Sequence, residues 1–231
     1  MPSTCFRVFA LVCVAQLGLG TVAASAPAAE VASGMTATVR IYRSSVRPAD
    51  LAAAERLASA IYQAAGVNLS WVHCALMLVT RPVAPAGCDR PLAAGEMILH
   101  IVPAPESEHT GASQTLGFSL IDAATGRATV ATVYSDRVAR LARDAGIPNP
   151  DLLARAMAHE LGHLLLRTTS HPGSGLMRGF WSSGQLHLNV PQDWGFSVSE
   201  SRLLRRAVEE RATPRPAFER LLAGGERPAV P

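Results

Sequence analysis

The five residues His159-Glu160-Leu161-Gly162-His163 constrain this chain more than any other stretch of it. Residues four apart lie on one face of a helix, a turn above one another, so two imidazoles at this spacing converge on a single cation when the segment is helical. The flanks agree. Leu152-Leu153-Ala154-Arg155-Ala156-Met157-Ala158 before it and Leu164-Leu165-Leu166 after it are good helix formers and largely apolar, as expected of a buried helix. Glu160 is rotated about 100° from His159 on the helical wheel, which puts it beside the cation rather than on it. From there a carboxylate can take a proton from a zinc-bound water and pass it to a leaving amine. The alternative, a helix that merely carries two His on one face, would leave a buried Glu without a partner, which is costly. The pattern predicts one catalytic Zn2+ bound by His159 and His163, with Glu160 as general base.

A catalytic zinc usually has three protein ligands and a water. His171 follows closely in sequence and is the expected third ligand. His187 and Glu200 are the alternatives, Glu200 giving the arrangement of the gluzincin metallopeptidases. A structural zinc without catalysis is a further reading, but such a site has four protein ligands and no use for a free carboxylate.

The rest of the chain reads as a mixed α/β (α+β) domain. Thr36 to Tyr42 is a β-branched run that predicts a strand. Asp50 is placed to cap a helix running to about Ala65, with Leu51, Ala54, Leu57, Ala58 and Ile61 at helical spacing and Gly66 as its stop. Strands are expected at Val67 to His73, Glu96 to Val102, Leu116 to Ile121 and Arg127 to Tyr134, the last two joined by a turn through Asp122 to Gly126. Thr80 to Pro91 reads as a loop. A helix is expected over Asp136 to Gly146, and the central helix from Asp151 once Pro148-Asn149-Pro150 has broken the chain. Thr168 to Pro191 has little regular pattern. Ser197 to Arg211 reads as a final helix, capped by Ser197 or Ser199.

With those residues in place, the sequence resembles the metzincin metalloproteases. Their pattern is H-E-x-x-H-x-x-G-x-x-H followed by a Met-containing turn, and Ser174-Gly175-Leu176-Met177 is similar to the small-x-Met turn of matrixins. The resemblance implies that Met177 lies beneath the metal as an apolar floor. It implies a twisted mixed β-sheet with an N-terminal helix and a central active-site helix, and a peptide or protein substrate bound as an added strand along Leu116 to Ile121 or Arg127 to Tyr134. Two positions depart from the family pattern: its Gly falls on Leu166 and its third His on Thr169, so His171 comes two residues late. A Leu rarely adopts the sharp turn that the Gly allows. The helix is therefore expected to run on for part of another turn, with Thr168 to Ser170 bringing the chain back.

Export is expected from the other end. Arg7, the apolar stretch from Val8 to Leu19 and Ala24-Ser25-Ala26 have the layout of a secretory signal over residues 1–26, and the apolar run falls short of the roughly 20 residues that span a bilayer. A lead-in (27–35), a catalytic domain (36–212) and a Pro/Ala/Arg-rich tail (213–231) would follow, in a secreted or periplasmic monomer without a membrane anchor. Cys74 and Cys88 are then the two cysteines that remain, and an oxidising compartment favours a disulfide between them over a role for Cys74 as ligand. All 21 basic residues are Arg, yet the net charge is only +3 and no basic run occurs, so nucleic-acid binding has no support.

Overall fold

The computed structural model of this chain describes residues 35–43, 46–75, 87–93, 95–105, 115–122 and 125–212. The expected signal, most of the lead-in, the first part of the Thr80 to Pro91 loop and the tail lie outside the described residues. The elements run β1 (Thr36–Arg43), α1 (Pro48–Ala64), β2 (Asn68–Ala75), β3 (Glu96–Val102), β4 (Gly117–Ile121), β5 (Ala128–Tyr134), α2 (Ser135–Ala145), α3 (Asn149–Leu166), α4 (Ser183–Leu188), a 3-10 turn at Pro191–Trp194 and α5 (Val198–Ala212). This is the mixed α/β architecture that the strand and helix patterns predict.

The five strands form one sheet in the order β2-β1-β3-β5-β4. β1 pairs in parallel with β2 and β3, β3 in parallel with β5, and β4 antiparallel with β5. On the inner strands the fully buried apolar residues alternate, Val39 and Ile41 on β1, Met97, Leu99 and Ile101 on β3, Ala131 and Val133 on β5, so that one face of each strand lies on the core. β5 therefore has neighbours on both sides and cannot offer a free edge. Of the two strands expected to receive a substrate, only β4 is an edge.

Two helices begin earlier than their acidic residues suggest, for the same reason. Proline is well placed in a first turn, where its missing N–H has no partner to lose. α1 has Pro48 there, and Asp50 does not cap it: its carboxylate pairs with Arg47 at 2.9 Å instead. α3 starts at Asn149 with Pro150 in its first turn, so Pro148-Asn149-Pro150 opens this helix rather than merely ending the one before it.

α3 is the centre of the molecule. It packs against α1, α2, α5 and the strands β3, β4 and β5, and every residue from Leu152 to Leu165 is buried. Tyr62 of α1, fully buried, donates its hydroxyl to Ala158 O at 3.0 Å. A helix enclosed this way cannot shift or rotate without breaking several contacts at once, which makes it a rigid platform for side chains.

Candidate metal centre

His159 and His163 project from adjacent turns of α3, and both rings are oriented from behind. His159 Nδ1 lies 2.9 Å from Leu176 O, and His163 Nδ1 lies 2.6 Å from Thr168 O. A carbonyl only accepts, so both rings carry their proton on Nδ1 and present bare Nε2 lone pairs. Those two Nε2 atoms are 3.0 Å apart, and His171 Nε2 is 3.1 Å from His163 Nε2. Among the described residues, His159, His163 and His171 form a group whose ligand nitrogens all lie within 4.8 Å of one another. The expected third ligand is therefore brought to the other two. His187 is exposed on α4. Glu200 is occupied elsewhere: it accepts from Ser197 N at 2.7 Å while Ser197 Oγ accepts from Glu200 N, a capping box at the start of α5. Glu200 is thus not part of the group that the three His form, and Cys74 is bonded to Cys88.

The donor set fits a divalent cation. Unprotonated ring nitrogens facing each other at 3.0 Å repel unless a positive charge sits between them. Their separation is close to the roughly 3.3 Å expected of two nitrogens on a tetrahedral zinc with Zn–N of about 2.0–2.1 Å. Burial lowers the pKa of His159 to about 4, reinforced by the neighbouring imidazoles of His163 and His171 and opposed by the Leu176 hydrogen bond. Burial also lowers His163. Both rings are thus neutral near pH 7, the form in which imidazole binds metal.

The path from His163 to His171 shows how the longer spacing is accommodated. Leu166 remains helical, and the sharp turn falls one residue later, on Arg167, at φ 51 and ψ 42. Arg167 and Thr168 both direct their N–H groups at His163 O. Gly179 then leaves room for the third imidazole: a methyl group there would lie 3.0 Å from His171 Cγ.

The Met177 turn passes directly against α3. A methyl group on Gly162 would lie 2.6 Å from Met177 Sδ and 3.1 Å from Phe196, so only glycine lets the buried Met177 come this close to the helix between the two His. Leu176, whose carbonyl orients His159, is held by its N–H to Gly195 O at 3.0 Å, and Gly175 supplies the left-handed residue of the turn at φ +79. Arg178 fastens the same segment through Gly175 O, Asp193 O and the Asp193 carboxylate.

Glu160 sits beside the triad, 6% exposed. Burial pushes its carboxyl up to about 7, against the lowering effect of a hydrogen bond from Ser119. Ser119 Oγ is 2.7 Å from Glu160 Oε2 and 2.8 Å from Glu160 O. The triad and Glu160 open into a cleft of about 810 Å³. Leu116, Gly117, Phe118 and Ser119 of the β4 segment line it, as do Arg137 and Arg140 of α2, and Phe180 and Trp181 beyond the Met turn. Trp181 stands edge-on to His159 with centroids 5.5 Å apart. Sequence reading did not find Ser119 or Trp181. A serine in a short strand and a tryptophan in a Gly/Ser-rich segment carry no spacing signal that connects them to a remote helix.

No family model matches this chain, and no curated protein matches it. Among solved structures, the crystal structure of an archaemetzincin from Methanopyrus kandleri is similar at 16% identity, covering 78% of this chain and 99% of that one with a TM-score of 0.47. What the site can do is read from its own side chains.

Proposed function

We propose that this chain is an exported zinc-dependent endopeptidase of metzincin type, with His159, His163 and His171 as ligands and Glu160 as general base. The observation that carries this reading is the juxtaposition of three imidazole nitrogens within 4.8 Å with a buried carboxyl, all lining one open cleft. When bound, such a cation supplies Lewis acidity, polarising a carbonyl and acidifying a water. Glu160 does the proton work. Its carboxyl, buried beside the three imidazoles and facing the cleft, is placed to accept a proton from the attacking water and return it to the leaving amine. The carbonyls of Leu176 and Thr168, each accepting from an Nδ1–H, hold the two imidazoles with their Nε2 lone pairs facing the site.

The strand β4 supports a peptide as substrate. Tyr134 N donates to Leu116 O at 2.8 Å, and antiparallel pairing alternates, so Leu116, Phe118 and Leu120 face β5 while Gly117 and Ser119 turn their backbone groups to the open side. An extended chain can add there as a sixth strand, passing over the triad. A non-catalytic zinc site is the weaker reading, because three protein nitrogens leave a coordination position open to the cleft. Export is supported by the signal-like sequence of residues 1–26 and by the Cys74–Cys88 disulfide. Among the described residues, no helix is long and apolar enough to cross a membrane.

The test is cleavage of casein by the zinc-loaded chain. Wild type should cleave and lose activity on chelation, and Glu160→Gln should fall about 10²-fold or more. Cleavage that survives both changes would refute the assignment.

A further inference from the structure

The edge strand does more than line the cleft, because two of its residues close around Glu160. Ser119 Oγ reaches both Glu160 Oε2, at 2.7 Å, and the backbone oxygen of the same residue, at 2.8 Å. One turn of strand away, Gly117 leaves no room for a side chain: a methyl group there would lie 2.4 Å from Thr132 O, 2.9 Å from Glu160 Oε1 and 3.0 Å from Glu160 Cγ. Alternate residues of a strand share a face, so Gly117 and Ser119 meet α3 together. Glu160 thus packs against bare backbone at one residue and bonds to a hydroxyl at the other.

We infer that Ser119 is a positioning residue for Glu160, fixing the carboxyl's rotamer and tying it to the strand along which substrate lies. This rests on the hydrolytic reading above, in which Glu160 moves the proton. A glutamate side chain has three torsions, and its carboxyl is useful only within hydrogen-bond reach of the reacting atoms. Burial alone does not select one torsional state, whereas a directed hydrogen bond from a strand paired to the sheet does. The same strand positions the base and offers Gly117 and Ser119 backbone groups to a peptide, so a substrate paired in register with β4 is automatically in register with Glu160. The narrow fit at Gly117 explains why a small residue precedes Phe118 at the start of the strand.

The experiment compares wild type, Ser119→Ala and Ser119→Thr as zinc-loaded full chains on a fluorogenic peptide. Ser119→Ala should lower kcat about tenfold or more, as misplacement of a reacting group does, with KM within about twofold of wild type. Ser119→Thr, which keeps the hydroxyl, should recover most of the rate, and zinc content by elemental analysis should be the same in all three. In the metal-free protein, a urea double-mutant cycle of Ser119→Ala with Glu160→Ala should be non-additive, since each change removes one side of the same contact. An unchanged kcat in Ser119→Ala, or a Thr variant as impaired as Ala, overturns the positioning role and leaves the hydrolytic reading standing. A wild type that cleaves nothing overturns the hydrolytic reading instead. The cycle then decides alone, and additive changes would show that Ser119 does not hold Glu160.

Discussion

Gly162 lies between the two histidines of α3, where Ala would be the better helix former by about 1 kcal/mol. Its absence has a steric cause, since Met177 Sδ occupies the space a side chain would need. Gly162→Ala should therefore destabilise the protein by roughly 1–3 kcal/mol, the usual range for overpacking a core, as measured by urea unfolding. A stability gain would show that Met177 can move aside freely. Glu160 makes a second prediction at this scale. Its folded pKa is raised from 4.5 to about 7, so the neutral carboxyl is favoured by folding. That contribution is fully present below 4.5 and is lost as pH rises through about 7. In metal-free protein, Glu160→Gln, which cannot ionise, should gain stability relative to wild type across that window. Parallel urea midpoints for the two proteins from pH 4.5 to 8 would contradict the burial argument.

At the scale of elements, β4 links the chemistry to substrate. Its outward backbone groups are the ones a peptide would pair with, so methylating the amides of a peptide substrate on alternate residues should raise KM about tenfold or more. Methylating the intervening amides should change it little, because only every other amide of an added strand faces its neighbour. Equal effects at both sets of positions would show that the peptide does not bind as a strand.

How far these elements were legible depended on the kind of signal each carries. The strands at Glu96–Val102 and Ala128–Tyr134 announce themselves through β-branched and apolar residues, and α3 through the four-residue repeat of its two imidazoles. His171 is expected from proximity in sequence alone, and what carries it back beside the other two imidazoles is the sharp turn of the chain at Arg167, at the end of α3. Helix starts were misjudged where proline, rather than an acidic cap, opens the first turn. α4 was missed within a Gly/Ser-rich stretch that reads as irregular, although Ser182 and Gln185 form a reciprocal capping box that marks its start. Ser119 had no local signal at all. Its role exists only because the sheet carries β4 alongside α3.

Across the whole molecule, the two edges of the sheet are treated differently. β2 forms one edge, and its Cys74 is bonded to Cys88. β4 forms the other, beside the cleft, and among the described residues no strand pairs with its outer side. Replacing both cysteines by Ser frees a loop with a sequence separation of 14. This should cost up to about 3 kcal/mol of stability, read as a lower thermal midpoint, while metal affinity stays unchanged because the site lies at the opposite edge. A loss of metal affinity in that variant would mean that the two edges are coupled.

The central claim is that the imidazoles of His159, His163 and His171 hold one divalent cation, and equilibrium dialysis against zinc tests it most directly. Wild type should bind one zinc per chain. His171→Ala should weaken that binding by at least about tenfold, and His159→Ala with His163→Ala should abolish it, while Glu200→Ala binds as wild type does. Failure of wild type to take up zinc, or undiminished uptake after both α3 histidines are removed, would contradict the account.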